Sequence, residues 1–312
     1  MKPFKELQEL FNSNNAIESM KPCFIILKIL GHAPINIINN KKIKISWLGI
    51  IFTLNKILNF FYCFIILFPN LTSKRQLNQL ISIGDYILSY VLSIIFFITR
   101  LKSLKKYFEI LKEINKVDKS FQKLNIKFNY KDCRRKIVIK HLFTFLFMIW
   151  IHVFNCFIGD YVDVYYPRYL LFIHTWQEIS KVFLLLMSCT ISDFLKERFK
   201  VVNQELEKYS KKKIIFNGNK FYKLRMMHGD LCDLCENFNK IESIPILSIL
   251  CSLFLLFIFN VYYFYSNVYN NGDRIELRFI YLFIILFRFS LYGVFTIPRF
   301  VALAKEVKKF FV

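Results

Sequence analysis

Cys232 and Cys235 stand three residues apart, with His228 one helical turn earlier. Their types and spacing are the first in this chain to suggest chemistry. Structural zinc takes four ligands, and this trio supplies three. Leu231 and Leu234 lie beside them at helical intervals, so the spacing favours buried thiols over a metal site. His141 and His152 fit no metalloprotease spacing, and neither a phosphate-binding Gly loop nor a nucleophile elbow occurs. The sequence predicts no catalytic constellation, no metal and no cofactor, and so no enzyme.

A different class of residue carries more information: ionisable side chains inside apolar runs. Each costs roughly 2.5–3.5 kcal/mol on insertion scales and usually faces a cavity or a partner. Arg288 is the sharpest case, as a cavity-facing cation or as a structural charge that meets Glu178 or snorkels. Glu178 and Lys181, three apart, share one helix face and predict a self-neutralising pair more readily than a ligand contact. Lys56, with Asn55 and Asn59, predicts packing against neighbouring helices or bending towards an interface.

Six apolar runs must position these groups: Trp47–Phe68, Leu80–Thr99, Ile137–Ile158, Tyr169–Ile191, Ile244–Tyr265 and Phe279–Pro298. Each approximates the ~20 residues that cross a ~30 Å hydrocarbon core. Hydrophobic content is 55% and aromatic content 18%, more than a soluble domain of 312 residues requires. The formal charge of +22 would otherwise point to nucleic acid. Here the positive residues flank the runs, and the charge is assigned to the membrane instead, with no nucleic-acid partner. The first twenty residues hold Glu6, Glu9 and Glu18 and no long apolar core, so no signal peptide is read. Cys23–Leu30 is too short to span and reads as an interfacial or buried helix.

The basic residues fix an orientation. With the N-terminus inside, segments 1–46, 100–136, 193–243 and 302–312 hold 34 of the 44 Lys and Arg. Segments 69–79, 159–166 and 267–276 hold three. The positive-inside rule predicts a cytoplasmic N-terminus and a cytoplasmic C-terminus. None of the eight Cys falls in an outside segment, so no extracellular disulfide framework is expected. The sequon Asn70-Leu71-Thr72 lies too near the membrane to be expected in use.

The long inside segments carry helical stripes. Leu101, Leu104, Phe108, Leu111, Ile114, Val117 and Phe121 recur at spacings of three and four. Leu195, Phe199, Val202, Leu206 and Tyr209 do the same. After a basic break at 211–220, Leu224, Met227, Leu231, Leu234, Phe238 and Ile241 continue the pattern towards Pro245. Basic helices lying on anionic lipid would show such stripes, but their near-heptad Leu/Phe/Ile content favours a helix bundle. The expected class is an all-α polytopic membrane protein with six spans, whose helices extend into a cytoplasmic bundle. Its divisions are 1–46 (N-terminal segment), 47–99 (spans 1 and 2), 100–136 (extension), 137–191 (spans 3 and 4), 192–243 (extensions), 244–298 (spans 5 and 6) and 299–312 (tail).

For a small ligand, the outer halves offer aromatics with a few polar groups. Those are Trp150, His152 and Asn155 on span 3 and His174 and Trp176 on span 4. Asn260 and Tyr263 lie on span 5, and Phe279, Tyr281 and Phe283 on span 6. An aromatic belt at the interface would use the same residue types.

Four segments resemble a known family. Lys21-Pro22-Cys23-Phe24 followed by Leu30-Gly31-His32-Ala33-Pro34 is similar to its stretch before span 1. Leu111…Val117-Asp118…Phe121 is similar to its pattern after span 2. Arg198-Phe199…Asn203…Leu206 resembles the segment after span 4, and His228…Leu231…Asn239…Pro245 the lead into span 5. With the order, span count and orientation, these resemble the insect gustatory receptors, within the insect chemoreceptor superfamily. The resemblance implies a tetrameric cation channel gated by a small-molecule tastant, with a cytoplasmic anchor joining homo- or hetero-tetrameric subunits and a seventh helix lining the pore. It places the ligand pocket in the outer half among spans 2 to 6. The signature of that seventh helix, Thr-Tyr, five apolar residues and Gln-Phe, is absent, so a truncated or degenerate copy is expected. The alternatives are an odorant receptor of the same superfamily, a G-protein-coupled receptor and a transporter. The second requires an outside N-terminus and shows neither Asp-Arg-Tyr nor Asn-Pro-x-x-Tyr. The third usually shows internal repeats, and none is found.

Overall fold

The computed structural model describes residues 13–38, 42–72, 77–161, 168–211, 218–270 and 297–308. Helix α1 (Ala16–Ile29) leads into strands β1 (Ile35–Ile38) and β2 (Lys42–Ile45). Helices α2 (Trp47–Thr72), α3 (Leu77–Gln122), α4 (Tyr130–Tyr161), α5 (Arg168–Lys211) and α6 (Gly218–Asn270) follow. A last helix, α7, covers 297–308. The 46 residues of α3 and 53 of α6 make rods of roughly 70–80 Å at 1.5 Å per residue.

Helix ends follow local chemistry. Asn15 caps α1, its Oδ1 accepting from Glu18 N at 2.9 Å, while Glu18 Oε2 accepts from Asn14 N at 2.7 Å. Ser46 Oγ accepts from Gly49 N at the start of α2, and Asn129 Oδ1 from Asp132 N at the start of α4. Asn125, at φ 62, turns the chain out of α3 in the left-handed conformation that Asn tolerates. Both Pro22 and Pro245 lie inside continuous helices.

The three predicted stripes are the interior. Leu111, Ile114, Phe121, Leu195, Phe199, Val202, Leu224 and Leu231 are fully buried, and α3, α5 and α6 meet along them. Helix α1 packs chiefly on α4 and also touches α2, α3 and α5. Its buried residues include Ile17, Met20, Cys23 and Leu27. The short run at 23–30 is thus part of a longer, buried helix.

The fold is mostly helical, consistent with an all-α class, with one short hairpin added: β1 and β2 pair antiparallel, Ile35 opposite Ile45 and Ile37 opposite Ile43. An isolated hairpin is marginal in water. This one is held at its base, where Ser46 N donates to Pro34 O at 3.0 Å. Among the described residues no helix is long and apolar enough to cross a membrane. Five of the six runs fall within α2 to α6, and the side chains of many of their residues lie outside the described ones. Nearly all of the sixth, 279–296, lies outside the described residues. Even so, large apolar side chains are exposed on the same helices, among them Ile51 and Leu58 on α2, Leu142 and Phe143 on α4, and Leu247 and Phe254 on α6. Apolar faces of that extent call for a partner or lipid.

The corner between α1 and α2 is tight. Gly31 has φ 75, and a Cβ there would stand 2.7 Å from the Phe52 carbonyl oxygen. A Cβ on Gly49 would stand 2.6 Å from Pro34 Cα. By contrast, a Cβ on Gly229 in α6 would meet nothing within 4 Å. Gly31→Ala should cost about 1–3 kcal/mol of stability from backbone strain, before the clash. Gly229→Ala should gain about 0.5–1 kcal/mol. Thermal unfolding of the detergent-solubilised protein measures both; equal and opposite-signed shifts to these would contradict the described corner.

Candidate functional site

Charged and polar side chains are brought into the apolar interior at several points. The strongest joins α3, α4 and α5. Arg198 is 1% exposed and Asp118 3% exposed. The guanidinium grips the carboxylate with both edges, Nε to Oδ1 at 2.9 Å and Nη2 to Oδ2 at 2.7 Å. Its third arm, Nη1, donates to Phe194 O at 2.9 Å. The Tyr130 hydroxyl donates to Asp118 Oδ2. Phe128 and Phe194 cover the guanidinium, 4.5 and 5.1 Å from ring centre to Cζ. Burial works against the Arg198 charge, but Asp118 more than offsets it and holds the cation above its ordinary range. Burial, and then the Asp118 charge, raises the Tyr130 phenol. One level away, Glu242 on α6 is buried and accepts from Tyr107 of α3 and Ser188 of α5, each at 2.6 Å.

The N-terminal layer adds two further contacts. Cys23 of α1 meets His141 Nε2 at 3.4 Å, while His141 Nδ1 lies 2.7 Å from Ile137 O. With Nδ1 donating to that carbonyl, Nε2 accepts from the thiol. Lys56 of α2 is buried against His32 and lies 5.9 Å from the Phe97 ring centre. Lys56 therefore packs inward against neighbours.

Glu178 and Lys181 form the predicted pair at 2.7 Å, both buried. Arg288 lies outside the described residues. His228 stacks edge-on against Phe199 at 5.2 Å, and its Nδ1 lies 3.5 Å from Cys232 Sγ. Burial lowers the imidazole and pushes the Cys235 thiol up to about 12. Among the described residues no three His, Cys, Asp or Glu side chains are gathered as a metal site. Burial likewise pushes Cys23 up to about 12, and burial with Glu197 pushes Cys133 up to about 11. These thiols stay protonated near neutral pH and are poor nucleophiles.

Of the ligand-pocket candidates, two are described. Trp176 is half-buried and packs on the core. Trp150 is 58% exposed and stacks between Phe147 and Phe154 on the outside of α4. The side chains of His152, Asn155, His174, Asn260 and Tyr263 lie outside the described residues, as do Phe279, Tyr281 and Phe283 altogether. Sequence reasoning missed Glu242, Tyr107 and Ser188. Their one signal is a lone acid at the head of an apolar run.

The model of the 7tm chemosensory receptor family matches residues 20–308. The chain belongs to that family, one of receptors rather than enzymes, and membership supports a membrane location. No curated protein matches the chain.

Breaking a buried pair from one side typically costs 3–5 kcal/mol, because the other charge is left uncompensated. Arg198→Met and Asp118→Leu should each destabilise by about that much, and the double variant by clearly less than the two together. Thermal unfolding of the purified variants measures the coupling. Additive losses would show that the pair does not act as a unit.

Proposed function

We propose that this chemosensory receptor is a gustatory-type subunit of a cation channel gated by a small-molecule tastant. It sits in the cell membrane with a cytoplasmic N-terminus and assembles as a homo- or hetero-tetramer. One observation supports the reading above others. Asp118, Arg198, Phe199 and His228 come from three separate segments that resemble the gustatory receptors, and they meet in one buried core. That core is built from the most basic stretches of the sequence, where the charge asymmetry puts the cytoplasm. It suits an anchor that holds the helices while their other ends respond to ligand.

The exposed apolar faces of α2, α4 and α6 suit lipid or neighbouring subunits. Trp176, half-buried against the core, suits the edge of a ligand cavity better than the outward-facing Trp150. Gating then requires only that the tastant bind the open arrangement more tightly than the closed one.

The test is expression in oocytes, alone and with other gustatory subunits, against a broad tastant panel. An inward cation current is expected. Trp176→Ala should shift its half-maximal concentration by about tenfold, equivalent to ~1.4 kcal/mol. Surface-delivered protein that gives no current to any tastant in any combination contradicts the reading. Responses to volatile odorants alone would move the chain to the odorant branch.

A further inference from the structure

Helix α2 begins with a large apolar side chain in the open. Trp47 is 82% exposed, and Ile45, the last residue of β2, is 74% exposed. Trp47 heads a stripe: Ile51, Leu54 and Leu58 follow at spacings of three and four, all exposed. The hairpin before it has two unlike faces. On one, Ile35 and Ile37 pack on the core, while Ile45, the cross-strand partner of Ile35, stays uncovered. On the other, Asn36 stands opposite Lys44 and accepts from Lys28 Nζ at 3.0 Å. Lys44 is exposed. No Asp or Glu occurs in the sequence between Glu18 and Asp85, so this segment has no acid of its own to answer its lysines.

The hairpin is not free to turn its apolar edge inward. Ser46 N donates to Pro34 O at 3.0 Å, and Thr53 Oγ1 donates to Gly31 O at 3.1 Å. Gly49 lies so close to Pro34 that a Cβ there would stand 2.6 Å from its Cα. The base of the hairpin is therefore fixed to the first two turns of α2, and Ile45 and Trp47 are held outward. An apolar face so held calls for a covering partner. Its continuity with the exposed stripe of α2, the helix that contains the first apolar run, favours lipid over protein. Trp47 stands at the end of that run which the charge asymmetry puts in the cytoplasm, and indoles settle at headgroup level. Lysines beside it with no acid suit an anionic leaflet.

We propose that the β1–β2 hairpin is an interfacial foot on the cytoplasmic leaflet. Ile45 and Trp47 enter the leaflet at headgroup level, and Lys28 and Lys44 draw anionic phospholipid around them. The foot sets the depth at which α2 begins. The proposal rests on the membrane reading given above, and it is independent of the tastant and of conduction.

The test uses the full chain in liposomes, with only Trp47 kept (Trp150→Phe and Trp176→Phe) or only Trp150 kept (Trp47→Phe and Trp176→Phe). Lipids brominated near the headgroup end of the acyl chain should quench Trp47 more than lipids brominated near its methyl end. Brominated phosphatidylserine should quench it about twofold more than brominated phosphatidylcholine at the same mole fraction. Lys28→Gln with Lys44→Gln should abolish that preference, and Lys116→Gln, at an exposed lysine paired with Glu113, should keep it. If the phenylalanine pair fails to fold, the loss of shallow quenching between wild type and Trp47→Phe reads the same residue. Quenching of Trp47 by aqueous iodide and by no lipid overturns the proposal. Shielding from both overturns it too, and assigns the face to a protein partner such as a second copy. Equal quenching by the two brominated headgroups overturns the anionic preference. Trp150, on the outer face of α4, separates the two levels of failure. If it is quenched by lipid while Trp47 is not, the foot alone falls; if it also escapes every brominated lipid, the membrane reading falls with it.

Discussion

A guanidinium and a carboxylate sealed away from water are the constraint around which the helices are arranged. Desolvating two charges costs several kcal/mol per ion, and the attraction between them repays it only with good geometry and every remaining hydrogen-bonding site filled. Arg198 and Asp118 meet that condition through two mutual bonds, the Phe194 carbonyl and the Tyr130 hydroxyl. Three helices have to be in place at once to satisfy it. An apolar core would hold them together as strongly, but it would permit sliding by a turn.

The second knot removes that freedom. Tyr107 and Asp118 are eleven residues apart on α3, and Ser188 and Arg198 ten apart on α5. At 1.5 Å per residue both intervals are roughly 15–16 Å. The two helices therefore run side by side in the same direction, tied at matching heights by Arg198–Asp118 and by Glu242 of α6. A slip of one turn would leave a buried Glu and a buried Arg without their partners. Such paired polar contacts fix one register, which a receptor needs if motion at one end is to be felt at the other.

Much of this was legible in the sequence because helical periodicity survives any tertiary context. The stripes from Leu104 to Phe121, Leu195 to Val202 and Leu224 to Ile241 were readable as buried faces and are buried. The Glu178–Lys181 pair followed from spacing alone. The Arg198–Asp118 pair did not, since its members are 80 residues apart and no local rule joins them; only the resemblance marked both. Glu242 was hidden for the same reason. The hairpin was masked by its brevity, although Ile35, Ile37, Ile43 and Ile45 alternate as a strand does. A ligand cavity was the least legible feature, because cavity-lining and interfacial aromatics have the same composition.

Hydrogen exchange of the solubilised protein, followed by mass spectrometry, tests most directly that these polar knots lock α3, α5 and α6 into one unit. Segments 104–121, 188–202 and 227–242 should show the slowest exchange and should lose protection together as denaturant is added. If one of the three opens on its own while the others stay protected, the helices are not held as one body and the account is contradicted.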